Sequence, residues 1–309
     1  MYCFFDNIFL EENALNLSIN RAFEYGDGFF ETIIVQNDQI LYFSDHFLRL
    51  QNASQALSLQ LPDGFSEDFV RKTIKQLVID SYHFDSGIET TPSPSLESRE
   101  ALNHKSTFRI KISFWRKNGG FYTPTFPENE CNTHILIRIV SHEIKNSNSN
   151  SNNHYSILNE NPITKIAFSD KIKLSFSPFS PYKTLNSLPY ILAGIEKTER
   201  DLEDLILLDT HNNISECIAT NIFWIKDDKI FTPSLQTGCV GGIMRKQVIS
   251  IANKLSIDLE EGFFQKKYLL DADSVFTTNV TGIRWIQSIE NQAFDKHHIL
   301  KKVVDTISQ

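Results

Sequence analysis

Lys183 heads the run Lys183-Thr184-Leu185-Asn186-Ser187-Leu188, and Glu216 follows 33 residues later in Ser215-Glu216. An amine at the start of a helical pattern can form an imine with a carbonyl compound. A carboxylate beside a strand can pair with a protonated ring nitrogen. Further stretches carry usable chemistry. Arg49, in His46-Phe47-Leu48-Arg49-Leu50, offers a planar fork suited to phosphate. Thr237-Gly238-Cys239-Val240-Gly241-Gly242-Ile243-Met244-Arg245 is a glycine-rich turn running into a helix. Such a turn presents backbone N–H groups and the positive end of the helix dipole to an anion. It is not a Walker loop, because no Gly-Lys-Ser/Thr follows. Thr277-Thr278-Asn279 places small polar groups at a strand end, and Tyr25-Gly26-Asp27-Gly28 makes a tight turn before another strand. Taken singly, each has a plain structural explanation as surface charge, turn or strand cap. Together they supply an amine, an acid, an arginine, a helix N-terminus and hydroxyls, which is what a phosphate-bearing aldehyde cofactor requires.

The elements that must hold these groups follow from periodicity. Leu185, Leu188, Leu192 and Ile195 form one apolar stripe and predict a helix over 184–200. Strands are predicted at 205–209, 221–225, 229–232 and 274–278, with a helix at 243–255. In the first half, 3–10 reads as a strand, and Phe30–Val35 and Ile40–Phe43 pair across the Asn37-Asp38 turn. A helix over 45–58 starts with Asp45 as N-cap and buries Phe47, Leu50, Ala53 and Leu57; a second spans 67–82. Residues 108–114 and 135–139 alternate as strands. Residues 85–106 read as a mobile Ser/Thr/Pro/Glu insertion. The Asn/Ser tract cannot bury a core, so 144–153 reads as a linker between a smaller domain, 1–143, and a larger one, 154–309.

Composition narrows the class. With 41% hydrophobic and 22% charged residues the chain can bury a full core. A net charge of −8 argues against nucleic acid or a membrane surface as partner. Cys3, Cys131, Cys217 and Cys239 form no C-x-x-C pair, and no histidine is placed so as to suggest a zinc site, so no metal site is expected. The N-terminus lacks a signal-peptide pattern and no apolar run reaches the ~18 residues of a membrane span. A cytoplasmic protein with reduced thiols is expected.

The chain resembles the class IV aminotransferases, the fold-type IV group of pyridoxal-phosphate enzymes. The resemblance runs from Tyr25-Gly26-Asp27-Gly28 to Asn279. It is most specific at Lys183-Thr184-Leu185-Asn186, Glu216–Phe223, Thr232-Pro233 and Gly238–Arg245. It implies an α/β enzyme, with an α+β small domain plus a larger α/β domain, the cofactor between them, acting as a homodimer. It makes Lys183 the cofactor-bearing and proton-shuttling lysine, Glu216 the acid on the pyridine nitrogen, and Arg49 a phosphate ligand. Ile243 and Met244 would give backbone amides to the phosphate, and Thr278 and Asn279 would lie against the cofactor. Met244 stands where branched-chain enzymes often carry Thr. Asn279 stands where lyase-like members carry Asn and branched-chain enzymes Gly.

Pyridoxal 5'-phosphate chemistry does not by itself fix the reaction on a small-molecule amino substrate. Foremost is an aminodeoxychorismate lyase, releasing pyruvate and 4-aminobenzoate, a folate precursor. The alternative is a branched-chain or D-amino-acid aminotransferase, and a non-catalytic binding protein of the same fold is the third. Some lyases carry Arg-Gly-Tyr where this chain has Gly120-Phe121-Tyr122; Arg116, Lys117 or Arg284 are the candidates to replace that arginine on a substrate carboxylate.

Overall fold

A computed structural model describes residues 2–15, 17, 19–85, 107–125, 131–142 and 157–308. The linker read at 144–153, and nearly all of the 85–106 insertion, lie outside these residues. The chain divides into two compact units.

The first unit contains β1 (Tyr2–Phe5), β2 (Ile8–Glu11), α1 (Arg21–Tyr25), β3 (Gly28–Gln36), β4 (Gln39–Ile40), α2 (Phe43–Ala56), α3 (Glu67–Asp85), β5 (Thr107–Arg116) and β6 (Thr133–His142). Its sheet runs β2-β1-β6-β5-β3-β4, and every pairing is antiparallel. Helix α2 packs on β3, and α3 on β1 and β6. Phe29 of β3 stacks on Phe114 of β5 at 4.7 Å. The strand expected over 3–10 is two strands, because Asp6 and Asn7 adopt positive φ and reverse the chain. The strand expected over Ile40–Phe43 stops at Ile40, and α2 begins at Phe43, not after Asp45. Asp45 lies inside the first helical turn, where its charge still suits the dipole.

The second unit contains β7 (Leu158–Ile163), β8 (Ile166–Leu174), α4 (Leu188–Glu199), β9 (Asp204–Asp209), β10 (Ile214–Cys217), β11 (Asn221–Lys226), β12 (Lys229–Pro233), α5 (Ile243–Lys254), β13 (Leu259–Gly262), α6 (Lys266–Leu270), β14 (Ser274–Asn279), β15 (Gly282–Ile286), β16 (Ser288–Ile289), β17 (Gln292–Ala293) and α7 (His298–Ile307). The sheets run β10-β9-β8 and β13-β12-β11-β14-β15-β7, with a short β16–β17 hairpin. Strands β8 and β9 are parallel and joined through α4, and β12 and β13 are parallel and joined through α5. A parallel pair needs such a crossover. Each crossover leaves a connection after a strand, and these connections carry the residues of interest. Trp224, Phe168, Ile206 and Val275 lie in the core of this unit. Among the described residues no helix is long and apolar enough to cross a membrane.

Helix α4 starts later than its apolar pattern suggests. Residues Thr184–Asn186 fold with the first unit: Thr184 bridges Phe29, and Leu185 N–H donates to Gly28 O at 2.9 Å. Leu185 then packs with Cys3, Trp115 and Leu136. The rest of the stripe is turned outward, with Leu188, Leu192 and Ile195 between 42% and 57% exposed, and Ile191 is exposed beside them. The buried side of α4 is instead Ala193 and Glu196, the latter held by Ser169 Oγ at 2.7 Å.

Candidate active site

Glu216 is buried on β10, where a register shift against β9 separates it from Ile214. Tyr190 Oη, from the first turn of α4, donates to Glu216 Oε1 at 2.6 Å. The Val240 N–H donates to the same oxygen at 3.1 Å. Asn221 Nδ2, at the start of β11, lies 3.3 Å from Oε2 and donates to Val240 O at 2.7 Å. Burial pushes the carboxyl up to about 7. The Tyr190 and Val240 bonds and the charges of Lys183 and Arg245 pull downward without cancelling it. Lys183 itself is half-buried in the connection between β8 and α4, five residues before the helix starts.

The connection between β12 and α5 is shaped for close approach. Gly238 has φ of 88°, and a Cβ there would sit 2.9 Å from the Ser175 backbone. Gly242 is the N-cap of α5, and a Cβ there would meet Asn221 Oδ1 at 2.1 Å. Glycine at the N-cap means that no side chain caps the first amides. Ile243 and Met244 are the first two helical residues, so their N–H groups have no acceptor within the helix. On β14 the Thr278 hydroxyl is buried with no hydrogen-bond partner among the described residues, and Thr278 stands opposite Asn221 in the sheet. Asn279 is differently placed. Its Oδ1 accepts from Thr281 N and Oγ1, at 2.8 and 2.6 Å, and its Nδ2 donates to Ala219 O. Its amide therefore holds the β14–β15 turn.

Arg49 lies on α2 in the first unit. Its Nε and Nη2 grip both oxygens of Glu31 at 2.7 and 2.6 Å, and His46 Nδ1 lies 2.8 Å from Glu31 Oε2. Burial alone would raise Glu31, but the Arg49 charge and the bonds from His46 and Arg49 hold it down at about 2. A carboxylate so ionised only accepts, so His46 Nδ1 is the donor.

The two arginine candidates for a substrate carboxylate are engaged elsewhere. Arg116 Nε pairs with Asp27, and its Nη groups donate to the carbonyls of Ser58 and Leu57. Asp27 also takes Arg21 Nε, whose Nη1 holds the Phe121 carbonyl at 2.8 Å. Arg284 donates to the carbonyls of Asn161 and Pro162 and to Glu203. Lys117 is half-buried, with its backbone N–H on Asn132 O.

Tyr190, Asn221, Glu31 and His46 were not singled out as site residues by sequence. His46 and Arg49 sit one helical turn apart, and that i, i+3 spacing was the available signal. Nothing local marks Tyr190 as a partner of an acid 26 residues away. Elsewhere, Asp228, His297 and His298 bring ligand-type atoms within 4.8 Å of one another. There His297 Nδ1 accepts the Ile299 N–H, so in the neutral ring Nε2 bears the proton and faces Asp228 as a donor.

Comparison with known proteins places this geometry. The family model for amino-transferase class IV matches residues 28–289. An aminodeoxychorismate lyase of Vibrio harveyi is 26% identical over 279 residues, 88% of each chain. A putative 4-amino-4-deoxychorismate lyase structure from Legionella pneumophila superposes with a TM-score of 0.74 at 22% identity, covering 97% of both chains. The branched-chain amino acid aminotransferase of Escherichia coli superposes at 0.77 and 19% identity, covering 99% of this chain and 93% of its own. These two structural likenesses speak for the fold. The chain thus belongs to the class IV aminotransferase family and is a pyridoxal-phosphate-dependent enzyme of fold type IV.

Proposed function

We propose that this enzyme is an aminodeoxychorismate lyase, cleaving its substrate to 4-aminobenzoate and pyruvate in a folate-forming sequence in the cytoplasm. The observation that carries this choice is end-to-end similarity to the Vibrio harveyi lyase, over 88% of both chains. The fold does not discriminate, since lyase and aminotransferase structures superpose almost equally well, at 0.74 and 0.77.

The residues present fit pyridoxal phosphate. Glu216 is a buried acid with an oxygen available to a ring N–H. The first turn of α5 presents amides that no side chain caps, and the Thr278 hydroxyl is buried without a partner among the described residues. When bound, the cofactor supplies an electron-withdrawing ring that stabilises negative charge beside the substrate nitrogen. We assign to Lys183 the covalent hold on the cofactor and the movement of the substrate proton. Glu216 keeps the ring nitrogen protonated, since an opposite charge favours the charged form. The amides of Ile243 and Met244 bind phosphate oxygens, and Thr278 adds a hydroxyl. By the resemblance, Arg49 gives the phosphate a charge-assisted bond, its plane already fixed by Glu31. Asn279, by the same resemblance, is a cofactor neighbour that acts through the turn it holds. The outward stripe of α4 is an apolar patch of the kind that marks a protein interface, and supports a homodimer.

Purified enzyme given aminodeoxychorismate should yield equimolar pyruvate and 4-aminobenzoate. Glutamate and a keto acid formed from a branched-chain or D-amino acid donor and 2-oxoglutarate, with no pyruvate from aminodeoxychorismate, would make the protein an aminotransferase instead.

A further inference from the structure

The two oxygens of Glu216 are not equivalent. Oε1 receives two donors, Tyr190 Oη at 2.6 Å and Val240 N–H at 3.1 Å. Oε2 faces Asn221 Nδ2 at 3.3 Å, a long contact from an amide whose shorter bond, 2.7 Å, goes to Val240 O. A carboxylate oxygen has about two lone-pair sites. Oε1 therefore has both filled, while Oε2 keeps capacity for a strong donor.

We propose that Tyr190 is a positioning residue: with the Val240 amide it clamps Glu216 Oε1, fixes the carboxylate plane, and reserves Oε2 for the ring nitrogen of the cofactor. This rests on the pyridoxal-phosphate reading of the site and deepens it. The clamp also links the acid to the phosphate turn. Val240 gives its N–H to Glu216, while its carbonyl accepts from Asn221 and from the Gly242 N–H at 2.9 Å. Gly242 is the N-cap of α5, whose first amides no side chain caps. A shift of the Glu216 carboxylate is thus passed through one residue to the N-terminus of α5.

Tyr190 is a donor throughout the working pH range. Burial, and then the adjacent Glu216 charge, push its phenol far above the usual tyrosine range. The ionisable groups around Glu216 come from every element packed on it. Lys183 comes from the β8–α4 connection, Tyr190 from α4, Cys239 and Arg245 from the turn and first turn of α5, and Cys217 is its strand neighbour. Both thiols are driven up by burial, Cys239 to about 12, and stay neutral. The remaining influences on Glu216 are the charges of Lys183 and Arg245 and the bonds from Tyr190 and the Val240 N–H, and of these donors the Tyr190 hydroxyl is the side chain that a substitution can remove.

Tyr190→Phe removes that hydroxyl and keeps the ring. In the apoprotein, the Glu216 titration can be followed by its carboxyl infrared band, assigned by its loss in Glu216→Gln. Losing a donor to the ionised form should move the midpoint up by about one unit. Pyridoxal phosphate titrated into the same apoproteins should bind Tyr190→Phe roughly ten-fold more weakly at pH 7, with the deficit shrinking as pH rises. In the Glu216→Gln background the Tyr190→Phe change should have almost no effect. An unmoved midpoint, or an equal loss of affinity at every pH and in both backgrounds, would overturn the clamp and leave Tyr190 a packing residue. Failure of borohydride to trap a cofactor adduct on any lysine of the wild-type enzyme would overturn the cofactor reading instead, while the apoprotein titration would still decide the clamp.

Discussion

Two buried glutamates, one in each unit, sit at opposite ends of the carboxylate range. Glu31 is held at about 2 and Glu216 is pushed up to about 7, although both are almost wholly buried. Burial drives both upward by the same physics. The difference is the partner. Glu31 has a guanidinium locked on both oxygens, a permanent charge at 2.6 and 2.7 Å. Glu216 has the neutral donors Tyr190 and Val240 N–H in contact, and the charges of Lys183 and Arg245 pull it down without cancelling its burial. A structural carboxylate is given a partner that never deprotonates. On the proposed reading, the carboxylate that is to pair with the cationic ring of the cofactor is left buried and oriented, with its affinity for a proton raised.

The cations can be removed to break this contrast. Lys183→Ala takes away both the amine that would hold the cofactor and a charge that Glu216 feels. Turnover should fall by about 10⁴-fold or more, the scale of a lost general base compounded by lost covalent attachment. The fold should survive, because Lys183 sits in a connection and not in an element. Borohydride followed by peptide mass mapping should find the wild-type adduct on Lys183. A variant with near-normal rate, or an adduct on Lys165, Lys171 or Lys173, would reassign the lysine.

Next in size is the stability of the two carboxylates, where the expected pH dependences have opposite signs. Glu31 titrates in the folded chain at about 2, below its ordinary 4.5, so its contribution is full above 4.5 and fades as pH falls towards 2. Glu31→Gln leaves Arg49 buried beside a neutral group and should cost roughly 3–5 kcal/mol near neutral pH. Glu216 titrates in the folded chain at about 7, so its ionisation destabilises the apoprotein progressively as pH rises from 4.5 through 7. Glu216→Gln should therefore stabilise the apoprotein above pH 7 by roughly 1–3 kcal/mol. Denaturant unfolding of both apo variants at pH 5 and pH 8 checks this. A Glu216→Gln variant no more stable than wild type at pH 8 would mean that its carboxylate is better compensated than its surroundings indicate.

The same Glu216→Gln change should lower turnover by about 10- to 10³-fold while the cofactor still binds, since the charge that favours a protonated ring is gone and the shape is kept. Gaining stability while losing rate is the usual pattern at a site that holds an uncompensated group for function. Near-normal turnover would remove Glu216 from the chemistry.

What the sequence made legible follows from how local each feature is. The alternation of β5 and β6 shows because one face of an antiparallel sheet is buried, and the β12–α5 turn shows because its glycines are forced by close approach. The apolar spacing places the start of α4 too early, because Leu185 continues that spacing yet packs beside Trp115 in the first unit. Strand β7, Leu158-Asn159-Glu160-Asn161-Pro162-Ile163, has no alternation to find, since its place comes from parallel pairing with β15. Glu31 and Arg49 meet only when a strand and a helix are packed together, and no pattern along the chain records that pairing.

The smallest expected effect asks whether Arg49, for all its engagement with Glu31, still serves the phosphate. If it does, Arg49→Ala loses a charge-assisted bond of roughly 1.5–3 kcal/mol, one to two powers of ten in affinity for pyridoxal phosphate. Met244→Ala keeps the backbone amide, and the helix N-terminus it belongs to contributes about 0.3–2 kcal/mol. Its affinity should therefore change by no more than a few-fold. Met244 is buried, so its truncation should cost stability, roughly 2–5 kcal/mol for a core methionine. Affinity must accordingly be read on folded apoprotein, by titration well below the unfolding temperature of each variant. Glu31→Gln adds the control that ties this to the opening contrast. If Glu31 orients the guanidinium, affinity should fall in Glu31→Gln as well, but by less than in Arg49→Ala, because the charge remains. Equal losses in Arg49→Ala and Met244→Ala, or none in Arg49→Ala, would make the Arg49–Glu31 pair a purely structural one and leave the α5 amides and Thr278 to hold the phosphate.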